Sequence, residues 1–459
     1  MKGKALVMST LGIRRAFVAL VVAVGAVVSC VGASAKAEDD LFKILSGVSN
    51  AKLERVEPSG SAAKLVGANR KANDYRFLDQ RFAALTDALA QPSVARSVSR
   101  KNGQGVAPIF FAIYSGDGPL VVDALLAAGA DPNATLFGAP ALWHALNVND
   151  ANSTQIALAL LDYGADPNAK TDSGETLLGK AASLGVFWVV QRLLVEGADP
   201  KATSNGKTPD ALCKDASTRD LVKNWGKKPY PFSALNPDEP KLHRAAAQNN
   251  LQRVKRLLAD GADPNAKWNG VKAVDMTTDA KVRAALGGKG TSKVDFSEYR
   301  LGHVYRGDYE KSNRHAAGGH SHAAYLYMFG ANQKPEIHAF YENGVKVCSV
   351  ERRSSRRAAD DPANPQHTVF PSHWTRGDIV EAVNSIALAG VAKLRGEDSA
   401  RLEENYNGVR IVVILRTNDK RGVDIITAYP IYSRQPRSGD GKFERLDDAK
   451  RALNDRTRT

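Results

Sequence analysis

The chain has 459 residues, enough for two to four domains, and its 43% hydrophobic and 24% charged content excludes a wholly disordered or fibrous chain. A formal charge of +14 favours acidic partners (nucleic acid, anionic lipid or an acidic protein) without choosing among them. The cysteines, Cys30, Cys213 and Cys348, are too few and too far apart for a disulfide framework.

The first 37 residues have the pattern of an export signal. Lys2, Lys4, Arg14 and Arg15 precede an uncharged apolar run, Ala16 to Val28, and small residues follow at Ala33-Ser34-Ala35 and Ala35-Lys36-Ala37. The run is short for a membrane span, so cleavage to a free secreted or periplasmic protein is expected, with no integral membrane domain left after it. Val27-Val28-Ser29-Cys30 resembles a bacterial lipobox, so a lipid anchor at Cys30 is a second outcome and an uncleaved anchor a third. Residues 38–103 carry one helix signal, Asp74 to Leu89, after a stretch rich in Ser, Gly, Ala and Lys.

A repeat follows. Gly-Ala-Asp-Pro begins at Gly129, Gly164, Gly197 and Gly261, each time after a Leu-Leu pair: Leu125-Leu126, Leu160-Leu161, Leu193-Leu194 and Leu257-Leu258. Upstream, Ala107-Pro108-Ile109-Phe110-Phe111-Ala112, Ala139-Pro140-Ala141-Leu142-Trp143-His144-Ala145 and Glu239-Pro240-Lys241-Leu242-His243-Arg244-Ala245 open three of the units alike. The physical reading is local. Proline starts the first helix, where its missing N–H is no loss. The Leu pair ends the second helix, the glycine takes a left-handed turn, and Asp-Pro-Asn redirects the chain. With a period near 33, residues 104–286 resemble ankyrin repeats. One unit, opened by Gly206-Lys207-Thr208-Pro209, lacks the closing motif, and Asn269 to Leu286 is read as a shortened terminal repeat. The resemblance implies a surface for a protein partner and structural roles for His144 and His243.

Gly287 to Ser292 reads as a flexible linker, within a boundary segment set at 287–295. Beyond it, Tyr325 to Phe329, Glu336 to Phe340 and Lys346 to Val350 read as strands, with Asn343-Gly344 as a hairpin turn. Thr375 to Leu394 reads as a helix capped by Thr375 with Asp378, with Ile379, Val383 and Ile386 as its apolar stripe. Val409 to Leu415 and Val423 to Ala428 are strands, so this domain is α+β with an antiparallel sheet. Residues 436–459 form a charged tail, with a short helix signal at Asp447 to Leu453.

Seven of the nine histidines fall after residue 300. His303 and His320 each adjoin glycine, in Gly302-His303-Val304-Tyr305-Arg306-Gly307-Asp308 and Gly318-Gly319-His320. Imidazole takes and gives protons near neutral pH, so two such groups brought together suit acid–base catalysis. With His367-Thr368-Val369-Phe370-Pro371-Ser372-His373-Trp374 and Ile426-Thr427-Ala428-Tyr429-Pro430, these motifs make residues 296–435 resemble the bacterial EndoU endoribonuclease family, in its toxin form.

The resemblance implies an exported endoribonuclease toxin that cleaves RNA, often at uridines, leaving 2′,3′-cyclic phosphate. It implies an acid–base pair of His303 and His320, with the two roles unassigned, and contacts to phosphate or base from Thr427 and Tyr429. Many members carry a lysine before the Phe-Pro segment. Here Pro365-Gln366-His367-Thr368 stands there, so either His367 or another residue supplies the third catalytic group. No cofactor is implied, although some members use manganese. An immunity protein is the expected partner of such a toxin. The fold class that results is multidomain: an all-α ankyrin solenoid followed by an α+β nuclease domain.

Two other readings stand beside it. One is a non-enzymatic ankyrin-repeat binding protein with a degenerate nuclease domain. The other is a metal-dependent hydrolase built on His315, His320 and His322, which lack a companion set of cysteines or carboxylates at zinc-like spacing. Arg352-Arg353 and Arg356-Arg357 read as a solvated loop, with phosphate binding as the other reading, Trp374 as core and His373 as a plain loop residue.

Overall fold

The computed structural model describes residues 41–42, 45, 85–86, 88–114, 118–148, 152–227, 239–290, 294–296, 301, 304–305, 308–309, 316–317, 337–340, 346–348, 367–394, 398–418 and 422–431. Its contacts divide the chain into two compact units, residues 1–160 with 169–173, and residues 161–168 with 174–459. The expected signal, the strand at 325–329, the tail and most of the helix at 74–89 lie outside the described residues.

The first unit holds α1 (Pro92–Ser97), α2 (Pro108–Tyr114), α3 (Gly118–Ala127), the hairpin β1 (Thr135–Leu136) and β2 (Ala139–Pro140), α4 (Ala141–Val148) and most of α5 (Ser153–Asp162). Phe110, Leu125, Leu126, Leu142, Leu146 and Ile156 are buried in its core. Pro108 opens α2 as expected. Pro140 does not open α4; it sits in β2, one residue earlier, closing the hairpin against Thr135. His144 is structural: its Nε2 lies 2.8 Å from the Leu136 carbonyl and its Nδ1 2.6 Å from the Tyr114 hydroxyl.

In the second unit the helices continue as α6 (Leu177–Leu184), α7 (Phe187–Val195), α8 (Pro209–Leu212), α9 (Ala216–Lys223), α10 (Lys241–Ala247) and α11 (Leu251–Ala259). A hairpin, β3 (Lys267–Trp268) and β4 (Val271–Lys272), and a last helix, α12 (Ala280–Ala285), close the helical part. The turn chemistry repeats throughout. Gly129, Gly164, Gly197 and Gly261 all take positive φ, between 92° and 105°. Their N–H groups donate to the second leucine of the preceding pair, and Asp131, Asp166, Asp199 and Asp263 each accept the N–H two residues on. The unit without the closing motif still forms α8 and α9. Thr176, where no proline stands, caps α6 by accepting the Gly179 N–H. His243 lies 3.1 Å through Nε2 from the Val271 carbonyl, the counterpart of the His144 contact.

The α+β part is built on a four-stranded sheet in the order β11 (Ser399–Tyr406), β12 (Val409–Thr417), β13 (Val423–Ile431) and β5 (Val294–Asp295). The first three are antiparallel and β5 joins β13 in parallel. A second sheet has the order β10 (His367–Val369), β9 (Lys346–Cys348), β8 (Ile337–Phe340). A two-residue pair joins β6 (Asp308–Tyr309) to β7 (Ala316–Ala317). The long helix α13 (Arg376–Gly390) packs on β11 and β12 with Ile379, Val383 and Ile386 buried. Its Thr375–Asp378 capping box forms as the sequence predicts. Trp374 is core, 2% exposed and stacked on Phe370. Among the described residues no helix is long and apolar enough to cross a membrane.

Candidate functional site

Strand alternation places Thr427 and Tyr429 on one face of the four-stranded sheet, because side chains two apart point the same way. The register extends that face across the sheet. Thr427 lies opposite Ile414, which lies opposite Arg401; Tyr429 lies opposite Val412, which lies opposite Glu403. A bulge between Ile414 and Leu415 shifts the register just beyond Thr427. Thr427 and Tyr429 are both half-buried, so each keeps part of its surface exposed.

A cation adjoins this row. Arg401 donates to Glu403 Oε2 over 2.6 Å and also hydrogen-bonds the Tyr429 hydroxyl. The Glu403 carboxylate holds the guanidinium above its ordinary pKa, with the Tyr429 contact adding to the effect. Arg410, on β12, pairs with the other oxygen of Glu403. Nothing in the sequence marks β11, or with it Arg401. The strand's alternation is faint, because Leu402 is its one fully buried residue.

β10, which carries His367, packs beside β13, which carries Thr427 and Tyr429. The motif after β10, Phe370 to Trp374, enters the core and leads into the cap of α13. The structure therefore brings three of the expected residues onto adjacent strands. His303 and His320 lie outside the described residues, as do His315, His322 and the arginines at 352–357. Between the two glycine-flanked histidines the described residues are Val304 and Tyr305, both buried, and the antiparallel pairing of Asp308 with Ala317 and of Tyr309 with Ala316. That pairing joins the strand following His303 to the strand preceding His320.

His373 is no plain loop residue. Its ring stacks on Trp188 of α7 at 3.6 Å and 6°. Cys213 is a buried free thiol with its pKa pushed up to about 11 by burial, which makes it inert rather than nucleophilic.

Comparison with known proteins agrees with this architecture. Residues 297–432 match the family model of the bacterial EndoU nuclease. Residues 109–204 match ankyrin repeats in three copies, and residues 242–269 match a further ankyrin repeat. Among curated proteins, the chain is 28% identical over 202 residues to "E3 ubiquitin-protein ligase KEG" of Arabidopsis thaliana, a stretch that covers 40% of this chain and 12% of that protein. It is 29% identical over 167 residues to "Putative ankyrin repeat protein FPV014" of Fowlpox virus (strain NVSL), covering 35% of this chain and 37% of that one. The chain thus spans well under half the length of either relative. It carries ankyrin repeats followed by a bacterial EndoU nuclease domain.

Proposed function

We propose that the EndoU domain is an endoribonuclease that cuts RNA by internal transesterification. One of His303 and His320 removes the proton from a ribose 2′-OH. The 2′-oxygen attacks phosphorus, the bond to the 5′-oxygen breaks, and the other histidine gives that oxygen its proton. The products are a 2′,3′-cyclic phosphate and a free 5′-hydroxyl, with no net change in protons. Negative charge builds on the non-bridging oxygens as phosphorus becomes five-coordinate, so fixed donors and a cation aimed there lower the barrier. Thr427, Tyr429 and Arg401 supply those groups, and β10, which carries His367, packs beside the strand of Thr427 and Tyr429.

The observation that carries this reading is the family match over 297–432 together with the polar row of Arg401, Thr427 and Tyr429, placed beside the His367 strand. The positive net charge suits an RNA substrate. The chain is further read as exported through residues 1–37, since a ribonuclease active in its producer's cytoplasm would be toxic there. A toxin or effector role, with an immunity protein blocking the site in the producer, follows from the same reasoning.

The test is cleavage of a uridine-containing RNA by the full chain, with chelator and separately with manganese, followed by analysis of the product ends. His303→Ala and His320→Ala are each expected to lower the rate by about 100-fold or more. Wild-type rates retained in both variants would remove the acid–base assignment.

A further inference from the structure

Helix α13 has two faces that bury for different reasons. Its apolar stripe lies on the sheet. Asp378, Glu381 and Asn384, polar residues spaced three apart along the other side, are 7%, 6% and 0% exposed. What covers them is the helical part of the same compact unit.

Each polar group on this face has a partner from the repeats. Arg192 of α7 donates from Nη2 to both oxygens of Asp378, at 2.8 and 3.0 Å, and from Nη1 to Asp162 at the end of α5. Thr375, the cap of α13, donates its hydroxyl to the other oxygen of Asp162. One turn on, Gln248 Nε2 donates to Glu381 Oε2 at 3.2 Å, while the Tyr406 hydroxyl donates to Oε1 at 2.7 Å. One turn further, Asn384 donates to the Ala247 carbonyl at 2.7 Å and accepts from the Thr278 hydroxyl at 2.8 Å. Trp188 covers the His373 ring in the turn before the helix. Gly377 leaves room for the side chains packed on it: a Cβ there would lie 2.9 Å from the Gln248 side chain and 3.0 Å from the Asp162 carboxylate.

A surface that only fortuitously touched the helix would not satisfy three successive turns of it. Directional bonds of this kind specify one register, and a buried cation shared by two carboxylates makes that register costly to lose. We propose that the ankyrin repeats have their partner within this chain: the surface of Asp162, Trp188, Arg192, Gln248 and Thr278 is a dock for the Thr375–Asn384 segment of the EndoU domain. By holding the turn from β10 into α13, the dock sets β10 beside β13, and the residues that form it are positioning residues for the candidate site. That positioning role rests on the nuclease reading; the dock does not.

Hydrogen exchange of the full chain tests this, read for residues 376–390 and, as a control in the other compact unit, for residues 108–127. Arg192→Met leaves Asp162 and Asp378 facing each other without their cation. It is expected to speed exchange in 376–390 by about 100-fold or more while 108–127 stays as in the wild type. The triple variant Asp162→Asn, Arg192→Met, Asp378→Asn removes all three charges and is expected to restore most of the protection. If Arg192→Met loses the whole fold, the control peptide reports it and Gly377→Ala decides. In a free helix that change slows exchange, because alanine favours helix over glycine. In the docked helix it speeds exchange, because the methyl group meets Gln248 and Asp162. Unchanged exchange in 376–390 for Arg192→Met, or slower exchange for Gly377→Ala, would overturn the dock. RNA cleavage by the same samples reports separately: a wild-type chain that cuts no RNA removes the nuclease reading and leaves the exchange result standing.

Discussion

At the scale of single residues, the informative positions are those whose burial opposes their chemistry. Glu381 is held up to about 7, first by burial and then by the charge of Glu239. The Tyr406 hydroxyl and the charge of Arg244 pull it down, and Asp378 adds a smaller upward push. Because its folded pKa is raised, its stabilising protonation is fully present below about 4.5, the ordinary value, and is lost as pH rises through about 7. Glu381→Gln should therefore match the wild type near pH 4.5 and exceed it at pH 8 by about 1–3 kcal/mol in denaturant unfolding. Equal stability of the two proteins at pH 8 would contradict this. Arg401 is the residue-scale prediction for the site. Arg401→Ala is expected to lower RNA cleavage by about 10- to 100-fold, with Arg401→Lys recovering part of the loss, since lysine keeps the charge but not the fork geometry. An alanine variant as active as the wild type would remove Arg401 from the phosphate site. No motif pointed to Arg401, because it gains its meaning from register: only pairing through Ile414 and Val412 sets it in the row with Thr427 and Tyr429.

At the scale of elements, local chemistry carries most of the prediction. The four Gly-Ala-Asp-Pro turns and the Thr375–Asp378 box could be read directly, since each is a matter of a few adjacent residues and their hydrogen bonds. Gly261 has a φ of 92° and open space where a Cβ would stand. Gly261→Ala should thus cost about 1 kcal/mol through backbone strain alone, measured as a fall in denaturant midpoint. No change in the midpoint would mean that the turn relaxes without the left-handed conformation. Elements fixed by distant partners were harder to read. β11 is an edge strand with charged residues on both faces, so it shows no clean alternation. β5 has two residues and exists through its parallel pairing with β13, more than a hundred positions later. Pro140 shows the same limit in a turn: the motif expects a helix start, and the hairpin claims the residue first.

At the scale of the whole molecule, the order of ankyrin repeats before an EndoU domain was legible from repeated and ordered motifs, and the family matches agree with it. The polar stripe of α13 was not legible. Asp378, Glu381 and Asn384 have the spacing of a solvated helix face, and the groups that bury them come from as far away as Asp162. Glycine-rich composition at 287–292 reads as a domain boundary but says nothing about which surfaces meet across it. The chemistry of the domain is a claim about the whole chain. The most direct measurement is cleavage by the full chain, in chelator, of a uridine-containing RNA and of the same strand with 2′-deoxyuridine at the cut position. The RNA is expected to be cut to a cyclic phosphate and the deoxy strand to stay intact, because its nucleophile is missing. Equal cutting of both strands, or no cutting of RNA with or without manganese by the folded chain, would contradict it.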